Sequence, residues 1–383
     1  MKIRVGREVL AEAVGWVARG LPSRPSVPIL AGMLVEAADG QVTVSGFDYE
    51  SSAQVSVPAE VADEGRVLVS GRLLSDICKS MPRDSVDLSG EAARVQVSSG
   101  AARFVLHTLP LDEYPPLPKI PAASGVVDAE VFARAVAQVV SAAGRDDTLP
   151  VFTGIRLEIR GSTIALLATD RYRLAVRTVP WQPVDPALET NALVPAKLLA
   201  DVAKAMSGHD ITLSLGSTGT GTGSGSGDGL IGFEGGGRHA TSRLIDGEFP
   251  KVRGLIPAES ALTSTVTVQT AALVEAVKRV ALVAERSAPV RLTFADGTAT
   301  LDAGNGEEAQ ASESVAVTLN GDPVVTGFNA GYLLDGLASL GEPIAHFAFT
   351  QPTKPANLTG LSSPDDTPPS DAAYILMPMR LPT

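Results

Sequence analysis

The chain has 383 residues, 44% of them hydrophobic and 19% charged, enough apolar content for two or three sizeable cores and too much for a disordered protein. Its formal net charge of −12 argues against a protein that coats nucleic acid through a broadly basic surface, while leaving room for a local basic patch. Its single cysteine, Cys78, excludes an intrachain disulfide, and with no apolar run near about twenty residues and no basic-then-apolar leader at Met1-Lys-Ile-Arg4, neither a membrane span nor a secretion signal is expected and the cytoplasm is the expected location.

In chain order, the apolar periodicity of Glu8-Val-Leu-Ala-Glu-Ala-Val-Gly-Trp-Val-Ala18 predicts a helix. The loop Arg24-Pro-Ser-Val-Pro-Ile-Leu30 follows, then strands of strict alternation such as Gln41-Val-Thr-Val-Ser45, and a second helix, Arg72-Leu-Leu-Ser-Asp-Ile-Cys-Lys79. Cys78 lies on the apolar face of that helix and reads as a buried small side chain. The order then returns. A helix at Glu130–Val140 leads to Arg145-Asp-Asp-Thr-Leu-Pro-Val-Phe152, and a second helix at Lys197–Lys204 follows. A third copy has a helix around Leu273–Val277, Arg286 opening the next loop, and Gly331-Tyr-Leu-Leu-Asp-Gly-Leu337. Leu10 and Phe132 share one offset with Asp48 and Asp170, so the first two copies hold register. Leu111-Asp-Glu-Tyr-Pro115 closes the first copy and Asp246-Gly-Glu-Phe-Pro250 the second. Proline-rich connectors place the domains at residues 1–122, 123–257 and 258–383. The fold class is α+β: three repeated domains, each with two helices on antiparallel sheet.

Chemistry is sparse in this pattern. The Gly/Ser-rich run at residues 216–229 lacks the Lys-Ser/Thr ending of a phosphate loop and precedes a strand, Leu230-Ile-Gly-Phe-Glu234, so it reads as a hairpin tip. His107, His209, His239 and His346 have no metal-ligand spacing, and no metal or cofactor is expected. Asp48, Asp170 and Asn305 correspond across the copies, as turn residues at a hairpin would. No catalytic constellation emerges. Basic residues on the helices (Arg7, Arg19, Arg72, Lys79, Arg134, Lys197, Lys204, Lys278, Arg279) share them with acids, which fits either solvated faces or a basic patch.

Four segments carry a resemblance. Arg24-Pro-Ser-Val-Pro-Ile-Leu30, Thr169-Asp-Arg-Tyr-Arg-Leu-Ala-Val176, Asp246-Gly-Glu-Phe-Pro250 and Tyr374-Ile-Leu-Met-Pro-Met-Arg-Leu381 together resemble the bacterial sliding clamp family, the beta subunit of DNA polymerase III, over the whole chain. The resemblance implies three clamp domains per chain and a six-domain ring formed as a head-to-tail homodimer. Such a ring encloses duplex DNA topologically and without reading sequence. It is a processivity factor with no catalytic site, tethering the polymerase alpha subunit and taking a clamp loader, translesion and repair polymerases and ligase through short linear peptides; its location is cytoplasmic, at the nucleoid. A pseudosymmetric peptide-binding scaffold that never encloses DNA is the alternative, and an enzyme with its site at a domain junction is a third class.

Residue by residue, the resemblance implies a peptide site at Thr169, Arg173, Leu174, Pro250, Ile375, Met377, Pro378, Met379 and Arg380, with methionines as an adaptable apolar wall and arginines at the rim. Arg171 and Tyr172 stand where the family often has Gly-His, Phe152 where an aliphatic residue is common, and Gly254-Leu255 replaces an Arg-containing pair. Arg24 matches a DNA-contact position, with Arg72 and Arg145 as further candidates. Phe104 and Leu106, facing Leu282 and Val283 on the helix of the third domain, match the dimer contact.

Overall fold

A computed structural model describes residues 1–82, 84–91, 93–206, 208–216, 229–285, 288–304 and 309–381. Most of the Gly/Ser-rich run, Arg286 and Asn305 lie outside the described residues. Six α-helices occur among the described residues: α1 (Arg7–Gly20), α2 (Gly71–Ser80), α3 (Ala129–Val140), α4 (Ala196–Ala205), α5 (Thr270–Val280) and α6 (Ala330–Leu340). They fall two to a repeat, as the periodicity predicts, and every sheet pairing among the described residues is antiparallel. None of these helices is long and apolar enough to cross a membrane.

The chain divides into two compact units, and the division cuts the second repeat. The first unit holds residues 1–130, 181–186 and 201–244; the second holds 131–180, 187–200 and 245–383. The reason is strand pairing. In the first unit, Arg238–Arg243 of the second repeat pairs with Ser51–Pro58 of the first, in the register Arg238↔Val55 to Ser242↔Ser51, inside a nine-stranded sheet. A five-stranded sheet completes that unit, with the strand Ala102–His107 at its edge. α1 and α2 pack together and bury Leu10, Val14, Trp16, Val17, Leu74, Ile77 and Cys78. Cys78 is fully buried, and burial pushes its thiol up to about 12, so it is the inert small side chain its position suggests. The strands Ile211–Leu215 and Leu230–Gly235 that flank the Gly/Ser-rich run pair as a hairpin.

The second unit contains a twelve-stranded sheet that runs from Glu189–Pro195 to Val324–Phe328. Its aromatic core is Phe294, Phe347 and Phe349, with ring centroids 5.6 to 6.1 Å apart. Each such buried side chain contributes about 1.5–3 kcal/mol relative to exposure. α6 begins on Asn329, whose side chain accepts the Tyr332 N–H at 3.1 Å, and ends on Gly341 at φ 67°, a left-handed cap that suits glycine. Gly336 allows α6 to meet the ring of Tyr374, since a Cβ there would lie 2.6 Å from Tyr374 Cε1.

Candidate functional site

Two segments about two hundred residues apart in the chain become neighbours in the second unit. The strand Arg173–Pro180 pairs antiparallel with Ala372–Leu376 in the register Arg173↔Leu376, Leu174↔Ile375, Ala175↔Tyr374. Beyond the last ladder residue, the Met377 N–H donates to the Tyr172 carbonyl at 3.0 Å and the Met379 N–H to the Gly327 carbonyl at 2.8 Å. The C-terminal segment is therefore anchored by backbone on both sides of Pro378, which donates nothing.

Side chains alternate across a strand, so Arg173 and Leu174 face opposite ways. On one face Leu174, Val176, Ala373 and Ile375 close over Leu167, Leu193, Phe249 and Val252, with Val151, Ile245 and Ile256 packed against them. Leu255 and Met377 stay 39% and 36% exposed, Pro250, Pro378 and Met379 are half-buried, and Arg380 is exposed. The cluster is closed core, and the apolar patch above it is the exposed surface of Leu255 and Met377, with a soft thioether at its rim.

The other face is polar and closed. Thr169 Oγ1 donates to the Arg173 carbonyl at 2.7 Å and accepts the Arg171 N–H at 3.2 Å, while Asp170 Oδ1 accepts the N–H groups of Tyr172 and Arg173, both at 3.0 Å. This turn holds Arg171 at φ 80°. Its counterpart in the first repeat has Asp48 accepting from Glu50 and Ser51, with Tyr49 at φ 73°, so Asp48 and Asp170 are the turn residues their spacing predicts. Arg173 donates to Asp170 at 2.9 Å, Asp335 at 2.6 Å and the Tyr374 hydroxyl at 3.3 Å, and its guanidinium sits 4.4 Å over the Tyr332 ring. Burial works against its charge, but Tyr374, Asp335 and Asp170 outweigh it and hold its pKa above the ordinary value. Burial also pushes the Tyr374 hydroxyl up to about 12, against the pull of Arg173.

Beside this network lies a cavity of about 530 Å³ lined by Arg145, Phe152, Arg171, Tyr172, Arg173, Tyr332 and Asp335 among others. Phe152 sits in the 3-10 turn Pro150–Thr153. The Arg171 guanidinium stands 5.6 Å over the Phe152 ring and 6.0 Å over Tyr172, and Tyr172 stacks on Tyr332 at 6.2 Å. The contacts thus run in series from Phe152 through Arg171, Tyr172 and Tyr332 to Arg173.

The predicted peptide residues are gathered, but their roles divide. Leu174 and Ile375 are the floor of the apolar patch and Leu255, Met377 and Pro250 its margin, while Phe152, Arg171 and Tyr172 belong to the cavity. Thr169 and Arg173, 3% and 5% exposed, brace the turn and the helix; Arg173 is buried, with its Nε and Nη1 donating to two carboxylates and a hydroxyl, and is not a rim group. Tyr332 and Asp335 were missed by sequence reasoning, since α6 was recognised only by its leucine spacing. The signal was a tyrosine and an aspartate three residues apart, thus on one helix face.

The other assignments fare unevenly. Arg24 is exposed in its loop. Arg72 donates to the Leu21 carbonyl at 2.8 Å, tying α2 to the end of α1, and Arg145 lines the cavity. Leu106 is a correction: at 3% exposure it faces the core of its sheet opposite Val95, whereas Phe104 is 40% and its neighbour Val105 55% exposed. Leu282 and Val283 are a second correction, because the helix ends at Val280 and they form a 3-10 turn, Ala281–Val283, with Leu282 84% exposed. Several helix cations are paired: Arg19 with Asp201, Lys278 with Glu275 and Arg279 with Glu313. No cluster of histidine, cysteine and carboxylates suited to a metal occurs among the described residues.

Comparisons with known proteins give the family and the fold. Family models for the N-terminal, central and C-terminal domains of the DNA polymerase III beta subunit match residues 1–118, 126–251 and 253–380. The chain is 53% identical over 382 residues to the beta sliding clamp of Streptomyces coelicolor, covering 100% of both chains. It is similar to the solved structure of the Pseudomonas aeruginosa DnaN sliding clamp bound to griselimycin, with TM-score 0.88, 28% identity and 100% of both chains covered. It is similar also to the DNA polymerase III beta subunit of Thermotoga maritima, with TM-score 0.87, 25% identity and 100% of both chains covered.

Three clamp domains in sequence define a DNA sliding clamp, a processivity factor that itself catalyses nothing. The chain belongs to the DNA polymerase III beta subunit family, the bacterial beta sliding clamps.

Proposed function

We propose that two copies of this chain close head to tail into a six-domain ring around duplex DNA, and that the strand junction at Leu174 and Ile375 is where polymerase and loader peptides dock. The observation that carries this reading is the pairing of Arg173–Pro180 with Ala372–Leu376, which joins an apolar patch, an exposed methionine and an aromatic cavity at one junction. A single apolar patch of this kind is shared in turn by partners with the same short motif: the polymerase alpha subunit, the loader, translesion and repair polymerases, and ligase. Domain limits near residues 122 and 257 fit the proline-rich connectors. Phe104 and Val105, on an edge strand, supply one half of the dimer contact and Leu282 and Val283 the other. Arg24 and Arg72 lend weak, sequence-independent phosphate contacts, and with a net charge of −12 residence on DNA comes from enclosure more than affinity. The setting is the nucleoid in the cytoplasm.

The test is retention on nicked circular DNA at high salt after loading. A clamp stays on the circle and runs off once a single cut linearises it; a scaffold that never encloses DNA behaves the same before and after the cut.

A further inference from the structure

The apolar face of the sheet in the second unit carries a buried carboxylate. Arg156 and Glu158, two apart on the strand Gly154–Arg160, lie opposite Leu167 and Ala165, so they share the face of the cluster that holds Leu174 and Ile375. The Glu158 side chain is 10% exposed, and a carboxylate so placed needs partners that match its charge. It has two. Arg156 Nε stands 3.2 Å from Glu158 Oε1, with that guanidinium 5.8 Å over the Phe249 ring. Arg253 donates to Glu158 Oε2 from Nε at 2.9 Å and from Nη2 at 2.6 Å. Arg253 opens the 3-10 turn Arg253–Leu255, which ends on the leucine exposed at the patch. Within that turn Gly254 packs against nothing, since a Cβ there would meet no atom within 4 Å. Between buried Val252 and half-buried Ile256, the bonds from Arg253 to Glu158 therefore tie the turn to the strand.

We propose that Glu158 is a positioning residue for peptide docking: through Arg253 it fixes the turn that presents Leu255 to an apolar side chain of the incoming peptide. Glu158 itself touches no peptide. The inference rests on the peptide-docking reading above and adds how one wall of that site is held. A wall fixed before the peptide arrives does not have to be ordered by it, and affinity rises by the ordering cost avoided.

Fluorescein-labelled hexapeptides, each with two apolar anchors in a Gly/Ser background, are titrated by anisotropy against the full chain, and the tightest binder becomes the probe for E158Q, R253Q, L255A, E158Q/L255A and R253Q/L255A. E158Q keeps the size of the side chain and removes its charge. E158Q and R253Q are each expected to weaken the probe by about fivefold, and neither is expected to weaken it further once Leu255 is gone. A general structural loss would instead persist in the L255A background, because it does not act through that side chain. Unchanged affinity in E158Q and R253Q overturns the proposal and leaves the docking reading standing. A fivefold loss that survives in the double variants overturns it too, since Glu158 then acts elsewhere. If circular dichroism shows that E158Q does not fold, R253Q, whose side chain is 49% exposed, carries the same cycle. Peptides that do not bind the unsubstituted chain at all overturn the docking reading itself.

Discussion

The Arg173 guanidinium donates to the Asp335 carboxylate at 2.6 Å and so ties the start of a strand in the second repeat to α6 in the third. Asp335 is 45% exposed at its side chain while Arg173 is 5% exposed, so water screens the pair from one side only. D335A should cost about 1–2 kcal/mol, and R173A more, because it also strips Asp170 of its partner. Urea unfolding of both variants checks the order; a smaller loss in R173A contradicts the network.

Residue 171 offers a backbone test. At φ 80° alanine is strained and glycine is not, so R171G should be more stable than R171A by about 1 kcal/mol, the reverse of the helix-interior order. Melting temperatures of the two variants decide it. Both lose the guanidinium over Phe152, so that contact cancels.

Ile375 is fully buried opposite Leu174, under Phe249 and Val252. I375A leaves a cavity beneath the patch and should cost about 2–4 kcal/mol. M377A, at a side chain 36% exposed, should cost under about 1 kcal/mol while weakening peptide binding. A large stability loss in M377A would mean that Met377 is core filling.

The Cys78 thiol, ordinarily near 9.0, is raised to about 12 by burial, so the folded state keeps its proton where the unfolded state gives it up. Stability from this group is fully present below pH 9 and falls as pH rises from about 9 towards 12, by about 1.4 kcal/mol per unit. Native protein at pH 8 should resist iodoacetamide, and protein unfolded in urea should be alkylated at once, as intact mass shows. Rapid native alkylation contradicts the burial.

Leu74, Leu199 and Leu334 show what local pattern conveys. Each marks the second helix of its repeat, Leu74 and Leu199 are buried and Leu334 half-buried, and the helices fall where periodicity puts them. Asp48 and Asp170 were legible as turn residues because an aspartate caps its own turn within three residues. Leu106 was not: apolar character is equal for a core residue and an interface residue, and only its neighbour across the strand, Val95, separates them. The helix end at Val280 was missed because Ala281-Leu-Val283 continues the apolar run while the chain tightens into a 3-10 turn.

Spacing and composition by themselves determined the threefold repeat, the helix pairs and the antiparallel strands, since these depend on interactions within a few residues or on recurrence along the chain, and the resemblance of four segments gave the family. Only the tertiary structure decided that Arg173 pairs with Asp335, that Arg171 lies over Phe152, and that strands of neighbouring repeats pair in common sheets. Those facts depend on which distant groups meet and which face of a strand each side chain takes. A one-residue change of register reverses the face, and nothing local records the partner.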